Sequence, residues 1–317
     1  MTPDRKNDHS NNIAGAWATI GSFDGVHLGH QSIIHTLVEE SRKAGKPSIV
    51  VTFFPHPIKV LRDTRGPYYL TTPEEKNQFL YNLGVDFVLT LHFNRSLSLQ
   101  SSDSFIRVLH DHVPFSCLLI GYDFRLGANR DGDIHTLSAL GKELGYCVRA
   151  IEPFLKTDQP VSSSRIRELI QNGDIRSASS LLGRPYTAGG RIIHGDGRGR
   201  HLGMRTANLD IWSEKLLPGK GVYAAFAEVD NKRYQAVVNI GSRPTFYENS
   251  ALQTVEAHLL DFDGEIYDQQ MQLKFIQHIR PEKKFSNSDE LMVQIKQDIQ
   301  FAREVLIHEP KQTDLPA

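Results

Sequence analysis

The sequence predicts an α/β domain with a parallel sheet, followed by an all-β barrel or sandwich and a C-terminal helix. Three observations support this. Apolar runs alternate with helical patterns in the first half, the spacing changes to period two near residue 183, and the last segment is amphipathic. A chain of 317 residues has room for two domains, which we place at 13–182 and 183–308.

Five continuous apolar runs predict strands, as expected for a parallel sheet covered on both faces. They are Ala16–Phe23, Pro47–Phe54, Asp86–Phe93, Phe115–Tyr122 and Tyr146–Ile151. Helical spacing separates them, from Leu28 to Gly45 and over Pro73–Leu83, Ser102–His112 and Ile134–Leu144. Two short helices, Ser164–Gln171 and Asp174–Leu182, precede the domain boundary. Ligands of such sheets bind at the carboxyl ends of the strands.

The second domain shows about six strand-like segments between Tyr186 and Arg280. Met271, Leu273 and Phe275 alternate there with polar residues, which indicates strands with one buried face. The final helix is predicted over Asn287–His308, with apolar residues along one side.

Composition limits the classes of partner. Lys and Arg total 36 against 37 for Asp and Glu, a formal charge of -1, so we expect no nucleic-acid partner held by bulk charge. No apolar run approaches the ~20 residues that span a bilayer, so we expect no membrane partner and a cytoplasmic location. Nothing in the sequence indicates an oligomeric state.

The chain has two cysteines, Cys117 and Cys147. Because they stand alone, each without a partner in the pattern, we expect neither a disulfide framework nor a thiolate zinc site.

The stretch "GSFDGVHLGH" joins the first strand to the first helix. If the helix begins near Leu28, His27 and His30 lie one turn apart at its N-terminus, where free N–H groups and the helix dipole favour a phosphate. Gly21, Gly25 and Gly29 would let a ligand approach the backbone. This suits in-line attack on an α-phosphate with pyrophosphate leaving. A metal pair or two capping histidines are the alternatives.

Two further segments could complete this site. "SSSRIRELI" places Ser162, Ser163 and Ser164 at a helix start, before Arg165 and Arg167, a set that suits phosphate oxygens. "GYDFRLGANRDGD" follows the fourth strand, and its Asp123, Arg125 and Asn129 could contact a base or a second substrate. Alternatively, the first is an ordinary N-cap with solvated arginines and the second a turn.

"GRIIHGDGRGRHLGMRTANLDI" indicates a second site. Its loop residues Gly195, Gly197, Arg198, Gly199 and Arg200 could bind an anion, although the loop lacks a Walker ending. In the following strand, Thr206 and Asn208 share a face and offer oxygen ligands suited to Mg²⁺. Glu256, on a later strand, could act as a general base. A glycine-rich hairpin and solvent-facing polar residues are the alternatives.

These motifs, in this order, resemble the bacterial bifunctional riboflavin kinase/FAD synthetase family. The matching segments are "GSFDGVHLGH", "TFFPHP", "GYDFRLG", "SSSRIR", "GRGRHLGMRTANL", "GVYAA", "NIGSRPTF", "VEAHLLDF" and "IRPEKKF". The resemblance covers about residues 16–307 and implies a Rossmann-like nucleotidyltransferase domain followed by a closed barrel of the riboflavin kinase type. Riboflavin, FMN and ATP would be the substrates, FMN and FAD the products, and Mg²⁺ the metal.

In the first domain, the resemblance implies transfer of AMP from ATP to FMN, with His27 and His30 beside the triphosphate. The residues implied to hold ATP are Gly21, Phe23, Asp24, Gly29, Asn129, Ser163, Ser164, Arg165 and Arg167. In the barrel, the glycine/arginine loop would bind ATP, Thr206 and Asn208 would bind Mg²⁺–ATP, and Glu256 would activate the 5′-hydroxyl of riboflavin.

One residue departs from the family pattern. Arg205 stands where the family has proline, directly before Thr206. Arginine is flexible and adds positive charge beside a cation site, so we expect lowered kinase activity or altered ATP affinity rather than abolition. The alternative function is therefore an FMN adenylyltransferase whose barrel is a weakened or inactive kinase that binds flavin.

Overall fold

The computed structural model describes residues 13–156, 159–195, 205–243 and 252–309. The chain divides into two compact units, Met1–Ser163 and Ser164–Ala317. This division falls before the two short helices that the sequence analysis assigns to the first domain. No helix in the described ranges is long and apolar enough to cross a membrane.

The first unit is built around a five-stranded parallel sheet in the order β3-β2-β1-β4-β5. The strands are β1 (Trp17–Ile20), β2 (Ser48–Phe54), β3 (Phe87–His92), β4 (Cys117–Gly121) and β5 (Cys147–Ile151). All five were predicted from apolar runs, and each is shorter than its run. A small hairpin of β6 (Leu155–Lys156) and β7 (Gln159–Pro160) follows and was not predicted.

Helices cover both faces of this sheet. They are α1 (Leu28–Lys43), α2 (Pro57–Leu61), α3 (Pro73–Asn82), α4 (Arg95–Ser98), α5 (Ser102–His112) and α6 (Ile134–Leu144). Trp17 packs with residues of α1 and α3, whereas Ala18 and Ile20 pack with residues of α5 and α6. Side chains of β1 alternate between these two cores because successive strand residues point to opposite faces. The central strands β1, β2 and β4 are thus buried on both sides, which is the reason for their continuous apolar sequences.

The expectation of unpaired cysteines is wrong. Cys117 and Cys147 form a disulfide, with their Cα atoms 4.4 Å apart. They are direct partners across the neighbouring strands β4 and β5. The crossover helix α6 lies between them in the chain, so a separation of 30 positions in sequence becomes adjacency in the sheet.

The second unit contains a closed six-stranded barrel in the order β10-β11-β12-β9-β8-β13. Its strands are β8 (Tyr186–Ile193), β9 (Ala207–Ile211), β10 (Gly221–Val229), β11 (Lys232–Arg243), β12 (Leu252–Leu259) and β13 (Gln270–Arg280). The barrel closes through antiparallel pairing of β10 with β13. Of the two forms that the strand pattern allowed, the structure has the barrel, as the family resemblance implied.

Three helices accompany the barrel: α7 (Ser163–Gln171), α8 (Ile175–Leu182) and α9 (Ser288–Ile307). Ala302 and Leu306 of α9 pack on Val222 and Phe226 of β10. The predicted C-terminal helix is confirmed within one residue at each end, and its start is fixed by the side chain of Asn287, which accepts from Glu290 N–H at 2.9 Å.

Candidate functional sites

The strand order of the first unit creates a crevice at one edge of the sheet. The chain moves outward from β1 through β2 to β3, then returns to place β4 on the other side of β1. In open parallel sheets, such a reversal separates the two loops that leave the carboxyl ends of the central strands. Here these loops are "GSFDGVH" after β1 and "YDFRLG" after β4. Both were predicted to contribute to one site.

His27 and His30 lie together at the start of α1. His27 is the N-cap, and its Nδ1 accepts from the backbone N–H of His30 at 3.3 Å. The two imidazole rings stack with centroids 3.6 Å apart, and the ring of Phe23 contacts that of His30 edge-on at 5.2 Å. The predicted helix start and the convergence of the two rings are confirmed. His27 does cap the helix, as the capping alternative stated.

The metal alternative for these histidines finds no support in the part of the chain that the structure describes. No group of three or more His, Cys, Asp or Glu side chains there could hold a metal ion. The surroundings instead suit an anion, since the first turn of α1 contains no acidic residue and presents its N–H groups.

The backbone around this turn is tightly packed. A Cβ at Gly29 would lie 3.3 Å from the His27 ring and 3.4 Å from the Val161 carbonyl oxygen, so a larger residue would displace the imidazole. At Gly21, a Cβ would lie 3.0 Å from the Phe23 ring. Phe23 itself has a positive φ of 48°, which is uncommon for an aromatic residue and marks a constrained turn.

Asp24 was predicted to contact ATP, but its side chain is engaged elsewhere in the structure. The carboxylate is 3% exposed and accepts from the backbone N–H groups of Leu70 and Thr71 at 3.0 and 3.2 Å. The hydroxyl of Ser163 donates to the Asp24 carbonyl oxygen at 3.0 Å. Asp24 therefore joins the loop after β1 to residues 70–71 and to Ser163, and an ATP contact by its carboxylate would compete with these bonds.

The remaining predicted ATP ligands lie in two places. Asn129 is exposed in a 3₁₀ turn over Ala128–Arg130, with a left-handed φ of 56° that asparagine tolerates. Ser164, Arg165 and Arg167 lie in the first two turns of α7, where Arg167 is buried.

The barrel aligns the predicted kinase residues. Asn208 of β9 is the direct partner of Glu256 of β12, and Glu256 is in turn the partner of Asn239 of β11. Three polar side chains thus form a row across adjacent strands on the half-buried face. Glu256 and His258 alternate with the buried residues Val255, Ala257 and Leu259. Asn239 was missed, although its period-two spacing among apolar residues of β11 is a usable signal.

A cavity of about 400 Å³ opens beside this row. Its lining includes Thr206, Asn208 and His258, together with the loop residues Asp263 and Glu265. Its wall also contains the stacked rings of His194 and Tyr267, whose centroids are 3.9 Å apart. A site with this volume can accommodate a nucleotide-sized ligand.

Two neighbours of Thr206 and Asn208 shape this cavity. A Cβ at Gly195 would lie 2.1 Å from Nδ2 of Asn208, so only glycine lets this amide side chain occupy its position. Arg205 pairs with Asp263 at 3.0 Å, and its carbonyl oxygen lies 2.8 Å from Nδ1 of His258. The other predicted loop residues, Gly197, Arg198, Gly199 and Arg200, lie outside the described residues.

Comparison with known proteins agrees with this division into two sites. The FAD synthetase family pattern matches residues 9–165, and the riboflavin kinase family pattern matches residues 182–306. The bifunctional riboflavin kinase/FMN adenylyltransferase of Escherichia coli (strain K12) is 37% identical over 292 residues, 92% of each chain. The chain belongs to this bifunctional family. The Bacillus subtilis (strain 168) member is 38% identical over 286 residues, 89% of this chain and 90% of that protein.

A solved structure has the same fold over nearly the whole length. A crystal structure described as a macrolide-efflux protein from Streptococcus pneumoniae superimposes with a TM-score of 0.83 at 27% identity. The superposition covers 92% of this chain and 94% of the Streptococcus pneumoniae chain. The sequence relatives confirm the family resemblance stated from the motifs, and this structure confirms the predicted fold class.

Proposed function

We propose that this protein makes both flavin cofactors. On the barrel, ATP phosphorylates riboflavin to give FMN and ADP; on the α/β unit, ATP adenylylates FMN to give FAD and pyrophosphate. The observation that carries this proposal is the presence in one chain of two separate polar sites, one at a helix N-terminus and one on a barrel face. Relatives of the same length carry both activities in their names.

The adenylyltransferase step requires positioning and charge stabilisation rather than a covalent intermediate on the enzyme. A phosphate oxygen of FMN attacks the α-phosphorus of ATP, the new P–O bond forms, and the bond to the β-phosphate oxygen breaks. The N–H groups of the first turn of α1 and the imidazoles of His27 and His30 stabilise the charge that develops on the triphosphate. The hydroxyls of Ser163 and Ser164 and the guanidinium groups of Arg165 and Arg167 are proposed further ATP contacts.

The kinase step requires a base and a way to hold ATP. Glu256 accepts the proton of the riboflavin 5′-hydroxyl as its oxygen attacks the γ-phosphorus and ADP leaves. The hydroxyl oxygen of Thr206 and the amide oxygen of Asn208 are hard neutral donors that fit Mg²⁺, and the adjoining cavity leaves space for phosphate oxygens and water. Mg²⁺ bound there would neutralise phosphate charge.

The substrates follow from these reactions: riboflavin, FMN and ATP. We also propose a cytoplasmic location, because both reactions consume ATP. We propose no nucleic-acid or membrane partner, since Lys plus Arg and Asp plus Glu are nearly balanced at 36 and 37.

The test is an assay in which the purified protein receives riboflavin, ATP and Mg²⁺, and the flavins are separated over time. We expect FMN to appear first and FAD to follow. His30→Ala should lower FAD formation at least about a hundredfold and leave FMN formation unchanged. Glu256→Gln should lower FMN formation from riboflavin by a similar factor, and it should leave the formation of FAD from added FMN unchanged.

Two results would count against the proposal. A wild-type protein that consumes no riboflavin and releases no pyrophosphate from FMN and ATP would reject both activities. Loss of both activities in either single variant would reject the assignment of one reaction to each unit.

A further inference from the structure

Lys76, on α3, is a buried cation to which the proposed reactions assign no role. It is 6% exposed, and its Nζ donates to Thr52 Oγ1 at 2.9 Å, to the Ser22 carbonyl oxygen at 3.3 Å and to the Phe53 carbonyl oxygen at 3.4 Å. An ammonium group has three N–H donors. The three acceptors therefore match the protonated form of Lys76 and exceed the two donors of the neutral amine.

These acceptors belong to two segments that meet at the carboxyl edge of the sheet. Ser22 lies in the loop after β1, whereas Thr52 and Phe53 lie in β2. The hydroxyl of Thr52 also donates to the Ser22 carbonyl oxygen, at 3.1 Å. Lys76 and Thr52 thus both fix the carbonyl of Ser22, one from a helix and one from the neighbouring strand.

Ser22 leads into the turn between β1 and α1, which places His27 and His30. The next residue, Phe23, has the left-handed φ of 48° and contacts the ring of His30 at 5.2 Å. A peptide group held at Ser22 therefore sets the direction in which the chain enters this turn. If the Ser22 carbonyl lost its donors, the constrained conformation of Phe23 would lose its support.

We propose that Lys76 is a positioning residue for adenylyl transfer, whose ammonium holds the Ser22 carbonyl and thereby places Phe23 and His30 at the N-terminus of α1. This inference rests on the proposed adenylyltransferase site at His27 and His30. Lys76 does not touch the substrates; it acts through the loop after β1.

The surroundings of Lys76 make this role depend on pH. Burial lowers the pKa of Lys76 to about 8, and the nearby Asp24 carboxylate opposes part of that shift. His56 and Tyr69 line the same small cavity as Asp24 and Lys76, and Glu75 lies beside Lys76 on α3. Above about pH 8 the amine has too few donors for its three acceptors, so adenylyltransferase turnover should fall.

Stability should respond in the opposite direction. The pKa of Lys76 is lower in the folded chain than its ordinary value of 10.5, so the unfolded chain binds more protons between about pH 8 and 10.5. Over that interval this group makes folding more favourable as the pH rises. If Lys76 only stabilised the fold, adenylylation would therefore not fall between about pH 8 and 10.5. If Lys76 positions the loop after β1, adenylylation should fall over that interval.

The experiment measures FMN adenylylation by wild-type protein and by Lys76→Met from about pH 6.5 to 9.5, with riboflavin phosphorylation as the internal control for folding. We expect Lys76→Met to lower kcat about tenfold or more at pH 7, to change the KM for ATP less than about threefold, and to remove the alkaline fall. Lys43→Met, at an exposed lysine of α1, is the matched control and should behave as wild type.

A second variant protects the test against misfolding. Thr52→Val keeps the shape of the side chain but removes the hydroxyl that donates to Ser22 and accepts from Lys76. It should also lower adenylylation kcat, while kinase activity stays unchanged.

The inference is overturned if Lys76→Met folds and keeps kcat within about twofold of wild type, or retains the alkaline fall. If Lys76→Met does not fold, unchanged kcat in Thr52→Val overturns it. A wild-type protein without any adenylylation would instead reject the proposed function.

Discussion

The amide of Asn208 occupies space that any side chain at residue 195 would fill, because a Cβ there would lie 2.1 Å from Nδ2. The shape of the candidate kinase cavity thus depends on the absence of a Cβ atom at Gly195, in the segment after β8. Asn208 is also the strand partner of Glu256, so a shift of its amide would disturb both the proposed metal ligand and the space beside the proposed base.

We therefore predict that Gly195→Ala raises the kinase KM for ATP about tenfold by displacing the Asn208 amide. FMN adenylylation, which we propose for the first unit, should be unchanged. Steady-state kinetics of both reactions on the same protein preparation provide the measurement. Val293→Ala, at an exposed position of α9 in the same unit, is the control. An unaltered KM in Gly195→Ala would show that Asn208 does not contribute to ATP binding.

Residue-level prediction succeeds where the chemistry is local and fails where it depends on distant partners. The approach of His27 and His30 follows from helical spacing alone. The bonds of Asp24 and Lys76 reach residues 46 and 54 positions away, and no local pattern contains them. One signal was available for Lys76: it lies four residues before the buried Leu80, which puts a charge on the apolar face of α3.

At the scale of elements, the long helices and the strands of both sheets were predicted because each has enough residues to show a period. The helices α2 and α4 have five and four residues, too few for a helical pattern to be distinguished from a loop. Their starts are nevertheless marked by N-caps, since His56 accepts from Ile58 N–H at 3.2 Å and Asn94 accepts from Leu97 N–H at 2.8 Å.

The link between β4 and β5 gives an element-scale prediction. Closing a loop of 30 residues should stabilise the folded chain by about 3.6 kcal/mol through the entropy of the unfolded state. Cys147 is exposed, so a reducing agent can reach the bond. We expect reduction with dithiothreitol, or Cys147→Ser, to lower the melting temperature of the first unit by several degrees.

The control for that measurement is the Cys147→Ser protein, which cannot form the disulfide and should melt at the same temperature with and without the reductant. Thiol counting under denaturing conditions reports the state of the pair directly. Two free thiols in protein purified in air, with no effect of reductant on melting, would contradict the link.

At the scale of the whole molecule, the order of an α/β unit before a β-barrel was predictable because the hydrophobic period changes once along the chain. The boundary was harder to place. The sequence puts it after Leu182, whereas the contacts of the structure divide the chain after Ser163. Hydrogen bonds join the helices between these points to the second unit: Ser179 Oγ accepts from Tyr186 N–H at 3.3 Å, and the Gly219 N–H donates to the Ile170 carbonyl oxygen at 3.0 Å.

We predict that a fragment beginning at Ser164 is more stable than one beginning at Gly183. The shorter fragment loses the buried apolar residues of α8, such as Ile175 and Leu181, and exposes the barrel surface that they cover. Its melting temperature should be lower by more than about 5 °C. Thermal unfolding followed by circular dichroism compares the two fragments. Equal melting temperatures would favour the boundary at residue 183.

The closed barrel of β8 to β13 limits how copies of this protein can associate through their strands. A sheet that returns to its first strand offers no terminal strand to which a foreign segment could add. The five-stranded sheet of the first unit does end, at β3 and at β5. Strand-to-strand aggregation during heating or storage should therefore begin at those two margins, and charged substitutions that suppress it belong there rather than on the barrel.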